Sequence, residues 1–170
     1  MAAMENRKTP IAAFYANILT FKTYYEDKWF PYTMPISDIN GLRVAVDNVK
    51  AEPDIVERHA KIAAATRQAV RKAGLSLYLK EGYANTVTVI EVPDGLTDEQ
   101  ILSTMRDRYN VMISGCFDVL AGKVIRIGHM GENANVDDMA MTLDAMDKTF
   151  AALGYELGCS MKEEFLAAMA

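Results

Sequence analysis

The sequence predicts an α+β fold: a small antiparallel or mixed sheet of three or four strands, covered by helices. Three observations carry that expectation. Helical periods of apolar residues recur along the chain, and short β-branched runs lie between them. The first two of those runs are too close together for a crossover connection, so they should pair antiparallel. A sheet with helices packed on one face is the two-layer way to bury both kinds of apolar surface.

Residues 10–29 place Ile11, Phe14, Tyr15, Ile18 and Leu19 at helical spacing, with Pro10 where a first turn tolerates its missing N–H. The same stretch carries Phe21, Tyr24, Tyr25 and Trp29, a large aromatic area that needs a partner surface. Residues 30–35 contain two prolines and read as an extended connection. Ser37 is a candidate N-cap for a helix through Leu42, Val46 and Val49. The clearest helix begins at Pro53, carries Ile55, Val56, Ile62, Ala63 and Val70 in period, and ends at Gly74.

Residues 75–79 and 86–92 read as strands, the second dense in β-branched side chains and stopped by Pro93-Asp94-Gly95. Thr97-Asp98-Glu99-Gln100 is a capping box that should open a helix over residues 98–108. Residues 109–114 and 123–127 are two further short strands. A long helix over residues 135–153 follows, with Val136, Met139, Leu143, Met146 and Phe150 in period and Gly154 after it. A last helix should start at the capping box Ser160-Met161-Lys162-Glu163.

The 170 residues are 51 % hydrophobic and 24 % charged, an ordinary globular composition with room for a core. A formal net charge of −5 argues against a nucleic-acid footprint, which needs clustered Lys and Arg. Cys116 and Cys159 have no metal-like spacing to each other or to His59 and His129, and free thiols in a reducing compartment are the simpler reading. No signal-peptide core opens the chain and no apolar run reaches bilayer length, so a cytoplasmic protein without membrane contact is expected.

The stretch most informative about chemistry is Lys123-Val124-Ile125-Arg126-Ile127-Gly128-His129-Met130-Gly131. A short apolar strand there sets Arg126 among buried neighbours, where an unpaired charge costs several kcal/mol. Its planar fork suits a carboxylate, supplied either by a ligand or by a local Asp or Glu. Both readings stand on spacing alone. His129 reads as a structural histidine of the turn, and His59 as a surface or packing residue of its helix. Asp137-Asp138 favours the positive end of a helix rather than a metal. Cys116 has no partner base nearby in sequence.

The run over residues 115–131 resembles the signature near the C-terminus of the class-V aminotransferases, in the branch containing alanine–glyoxylate and serine–pyruvate aminotransferases. Arg7-Lys8-Thr9 with Phe14-Tyr15-Ala16-Asn17-Ile18, and Arg58-His59, Thr66-Arg67 and Ala73-Gly74-Leu75, resemble further segments of that family in the same order. The resemblance implies a fold type I pyridoxal-phosphate enzyme, with residues 1–50 ending its large domain and linking it to a C-terminal small domain over residues 51–170. It implies that Arg126 binds the substrate carboxylate and that Thr33 reaches into the neighbouring subunit of a dimer to help hold the cofactor phosphate. Some members carry a tyrosine where this sequence has Phe30, so one phosphate contact would be absent.

The Schiff-base lysine of such enzymes lies upstream of the segment resembled by Arg7-Lys8-Thr9, and none of the ten lysines here stands in its context. The resemblance therefore implies no catalytic residue in this chain, which alone should be inactive and should need an N-terminal large domain. The parent reaction would move an amino group from alanine or serine to glyoxylate or pyruvate. The competing readings are a lyase or desulfurase of the same superfamily, which would use the arginine in the same way, and a free-standing, non-catalytic association domain.

Overall fold

The structure, a computed structural model, describes residues 2–170. The chain divides between Pro53 and Asp54 into two units, each with its own internal packing. In the first, α1 (Ala2–Glu5), a 3-10 turn (Ile18–Phe21) and α2 (Tyr24–Asp27) precede the longer α3 (Ile36–Ala51). The helix expected over residues 10–29 does not form. Asn17 caps only the short turn, its side chain accepting from Leu19 N at 3.1 Å, and Lys28 ends α2 in the left-handed region at φ 51°.

The aromatic side chains of this segment find partners by a different route. The chain doubles back, so that Tyr32 packs against Phe14, Tyr15 and Phe21 with centroids 4.9–5.7 Å apart, and its hydroxyl donates to Phe14 O at 2.7 Å. Ring clustering thus replaces helical periodicity as the organising contact. The apolar stripe of α3, Ile39, Leu42, Val46 and Val49, is exposed.

The second unit holds α4 (Ile55–Lys72), β1 (Val87–Glu91), α5 (Asp98–Tyr109), β2 (Val124–Gly128), α6 (Val136–Ala152) and α7 (Met161–Met169). Two 3-10 turns, Asp118–Leu120 and Gly131–Asn133, flank β2. The helix ends follow the sequence chemistry. Thr97 and Gln100 form the reciprocal capping box of α5, Asn135 caps α6, and the Ser160 hydroxyl caps α7. After α4, Gly74 takes φ +89°, which a side chain would resist.

Helices α4, α6 and α7 pack together, α5 lies against α6, and α4 covers β1. Their shared core includes Ile62, Val70, Ile101, Met105, Leu143, Met146, Phe150, Met161 and Phe165. Burying a side chain of this size stabilises the fold by ~1.5–3 kcal/mol. Methionine serves here as core filler, as expected of an unbranched, adaptable side chain. No helix among the described residues is long and apolar enough to cross a membrane.

The fold is α+β, but the sheet is smaller than expected. Among the described residues only β1 and β2 are full strands, paired antiparallel with Val89 opposite Arg126 and Ile90 opposite Ile125. The other two expected strands shrink to single bridges, Leu77 to Ile90 and Ser114 to Arg126. Each flanking segment is cut short by its neighbours. Gly82, at φ +72°, bends the chain after the first, and the second has left-handed Asn110, at φ 54°, before it and the Gly115 loop after it.

Candidate functional site

Strand alternation decides where Arg126 points. Ile125 and Ile127 are buried on the helix-covered face of β2, with Thr88 and Ile90 of β1 opposite them. Arg126 lies on the other face, beside Val89, and is half-buried rather than enclosed. Its backbone is fixed on both sides. β1 pairs with it through Val89, and Ser114 exchanges two hydrogen bonds with it, Arg126 N to Ser114 O at 2.7 Å and Ser114 N to Arg126 O at 3.1 Å.

Among the described residues the side chain has one hydrogen bond, from Nε to Gly115 O at 2.7 Å. The guanidinium carbon lies over the Phe117 ring, 5.7 Å from its centroid, within cation–π range. Among the described residues no carboxylate comes within ion-pair distance of Arg126. The local Asp or Glu that one reading of the sequence required is therefore not supplied. Both terminal nitrogens remain available to an outside acceptor.

A second arginine, Arg67 on α4, is more deeply placed and is partnered by neutral groups. It donates to Ala84 O and Asn85 Oδ1 at 3.3 Å each and sits over the Tyr83 ring. Burial lowers its pKa first, with the Arg71 charge adding to the effect. Its acceptors are all taken from the chain, so it reads as a structural cation.

Both histidines are tied into the fold. His129 is buried; its Nδ1–H donates to Asn85 O at 3.2 Å and its Nε2 accepts from the Thr88 hydroxyl at 2.9 Å. His59 Nδ1–H donates to Ile55 O at 2.6 Å, and its Nε2 accepts from Gly131 N at 3.0 Å, tying α4 to the turn after β2. Neighbouring Arg58 donates to Gly131 O and Ala134 O in the same turn. Sequence reasoning missed this link, and no signal for it exists in spacing, since 72 residues separate His59 from Gly131.

Thr33, in the first unit, is exposed and its hydroxyl makes no hydrogen bond among the described residues. Asp137 and Asp138 open α6, where Asp138 accepts from Asn135 Nδ2 at 2.7 Å. Among the described residues no cluster of His, Cys, Asp and Glu could hold a metal ion. Cys116 and Cys159 are free thiols.

No protein-family model matches the chain. An uncharacterized aminotransferase of Methanocaldococcus jannaschii is 36 % identical over 148 residues, 85 % of this chain and 38 % of that protein. The serine–glyoxylate aminotransferase of Arabidopsis thaliana is 35 % identical over 138 residues, 79 % of this chain and 34 % of that one. The crystal structure of pyridoxamine–pyruvate aminotransferase from Mesorhizobium loti superposes on 99 % of this chain, at a TM-score of 0.87 and 32 % identity. The chain belongs to the class-V aminotransferase family, as its C-terminal part. It spans 38 %, 34 % and 44 % of the lengths of these three relatives. The family is pyridoxal-phosphate-dependent, and this class-V chain carries Arg126 half-buried on the face of β2 opposite Ile125 and Ile127.

Proposed function

We propose that this class-V chain supplies the substrate-carboxylate arginine and one cofactor-phosphate contact to an aminotransferase that moves an amino group from alanine or serine to glyoxylate or pyruvate. The observation that carries the reading is Arg126 itself: half-buried, anchored through backbone and Nε, and without an acidic partner among the described residues. A fold that spends a partly desolvated cation without pairing it has reserved it for a ligand. The M. loti relative acts on pyruvate by its name, and the A. thaliana relative on serine and glyoxylate. All of these carry a carboxylate that a guanidinium can fork.

Thr33 fits pyridoxal phosphate in a limited way. An exposed hydroxyl with no partner among the described residues can donate one hydrogen bond to a phosphate oxygen. When bound, the cofactor supplies the electron sink for amino-group transfer. Arg126 would hold the substrate carboxylate still and set which face of the substrate meets the cofactor. We assign residues 1–50 to the end of the large domain and residues 51–170 to the small domain. The cofactor lysine, the phosphate-cradling turn and the acid facing the pyridinium nitrogen are assigned to a large domain beyond these residues, acting within a dimer.

The test is complementation. Mixing this chain with a separately made large-domain half should restore pyridoxal-phosphate absorbance and pyruvate- or glyoxylate-dependent transamination, and Arg126→Gln should abolish the activity. Two halves that co-purify yet take up no cofactor would overturn the reading.

A further inference from the structure

The Arg126 side chain is oriented by the same strand pairing that places its backbone. Ser114 bonds the Arg126 peptide through both its N–H and its carbonyl, and the next carbonyl along, that of Gly115, receives Nε at 2.7 Å. Backbone pairing and side-chain bond thus close one ring through two consecutive residues. The ring is held from outside by α5: a Cβ placed on Gly115 would already touch Asp98 Oδ2 and Leu102 Cδ1 at 3.4 Å each. Arg126 Cζ lies over the ring of Phe117, two residues further along the same loop, 5.7 Å from its centroid. That ring is 78 % exposed, so burial in the core does not account for its place.

A guanidinium offers a carboxylate two kinds of bidentate approach: side-on, through Nε and one terminal nitrogen, or end-on, through the two terminal nitrogens. The side-on edge here is taken by Gly115 O. We propose that Gly115 and Phe117 are positioning residues that commit Arg126 to end-on capture of the substrate carboxylate, the carbonyl blocking the Nε edge and the ring restraining the guanidinium through a cation–π contact. This deepens the proposed function and rests on its reading of Arg126 as the carboxylate site. Orienting the fork before the ligand arrives removes an ordering cost from binding. It also fixes the line along which the substrate's α-carbon is presented, since a two-point contact defines both a direction and a plane.

The experiment is arginine-side-chain NMR on the full 170-residue chain, labelled with ¹⁵N-arginine and titrated with pyruvate, with Arg126→Gln to assign the signals. Pyruvate should move the terminal-nitrogen resonances of Arg126 and leave its Nε–H protected from solvent exchange. Phe117→Ala should weaken pyruvate binding about two- to five-fold, the range expected for an exposed cation–π contact, and Phe117→Tyr should restore it. Because Phe117 is exposed, the amide spectrum elsewhere should stay unchanged in both variants. If pyruvate shifts Nε and its protection collapses, capture is side-on and the positioning role is overturned while the carboxylate reading stands. If Phe117→Ala binds pyruvate as wild type does, the ring has no part in the fork and that half of the proposal falls. If wild type and Arg126→Gln respond alike to pyruvate, the carboxylate reading fails and takes the proposal with it.

Discussion

His129 Nε2 lies 2.9 Å from the Thr88 hydroxyl, at a point in the core where both residues are almost wholly shielded from water. With Nδ1–H donating to Asn85 O, the ring is held as one neutral tautomer that uses both nitrogens. Burial is the largest cause of its lowered pKa, and the nearby Arg67 charge works in the same direction. The unfolded chain, by contrast, takes up the proton near the ordinary value of about 6.5.

That difference sets a direction for stability against pH. Below about pH 6.5 the unfolded state binds a proton that folded His129 refuses, so stability falls as pH drops, at up to about 1.4 kcal/mol per pH unit, until the folded pKa is reached. Thermal unfolding at about pH 7.5 and about pH 5.5 should show a larger loss for wild type than for His129→Gln, which carries no such proton. Equal losses in the two proteins would mean that His129 titrates normally.

Asp147 on α6 anchors the start of α7. Its carboxylate accepts from the Ser160 hydroxyl at 2.7 Å, Met161 N at 2.9 Å and Lys162 N at 3.2 Å. A carboxylate at a helix start satisfies orphan N–H groups and meets the positive end of the dipole. Asp147→Ala should therefore cost about 1.5–3 kcal/mol, as expected for hydrogen bonds to a charged group. Amide exchange should rise first in α7. A variant with unchanged exchange there would show that apolar packing of Met161 and Phe165 alone docks the helix.

The helices of the second unit were legible because local chemistry and core periodicity agree there. Thr97, Asn135 and Ser160 mark starts that the structure keeps, and Leu143, Met146 and Phe150 fall on the buried face of α6. The first unit misled for the opposite reason: Phe14, Tyr15 and Ile18 have helical spacing, but rings brought back from residues 30–32 compete for them, and spacing cannot report a contact of that kind. At the site, the strand could be read from the short apolar run around Arg126. The Gly115 acceptor and the absence of an acidic partner could not, since both depend on which loop lies beside β2.

Arg126 should contribute little to stability. A buried ion pair broken by removing one partner costs about 3–5 kcal/mol, because a charge is left behind. Arg126→Gln strands no charge and keeps a donor within reach of Gly115 O, so its unfolding free energy should stay within about 1 kcal/mol of wild type. Chemical denaturation of both proteins decides the matter. A loss of ion-pair size would reveal an internal carboxylate partner and remove the argument that this cation is held for a ligand.

Thr149 presents the reverse case, a polar group that the fold would be better without. Its side chain is fully buried on α6, and its hydroxyl has no hydrogen-bond partner among the described residues. An unsatisfied hydroxyl of this kind costs about 1–3 kcal/mol of desolvation. Valine has nearly the same shape and helix propensity but carries a methyl group where the hydroxyl stands. Thr149→Val should therefore raise stability by about 1 kcal/mol or more, with Met146 and Phe150 still packed beside it on the buried face. A lower melting temperature in the variant would show that the hydroxyl is satisfied in solution, by an ordered water or by the carbonyl one turn earlier in α6.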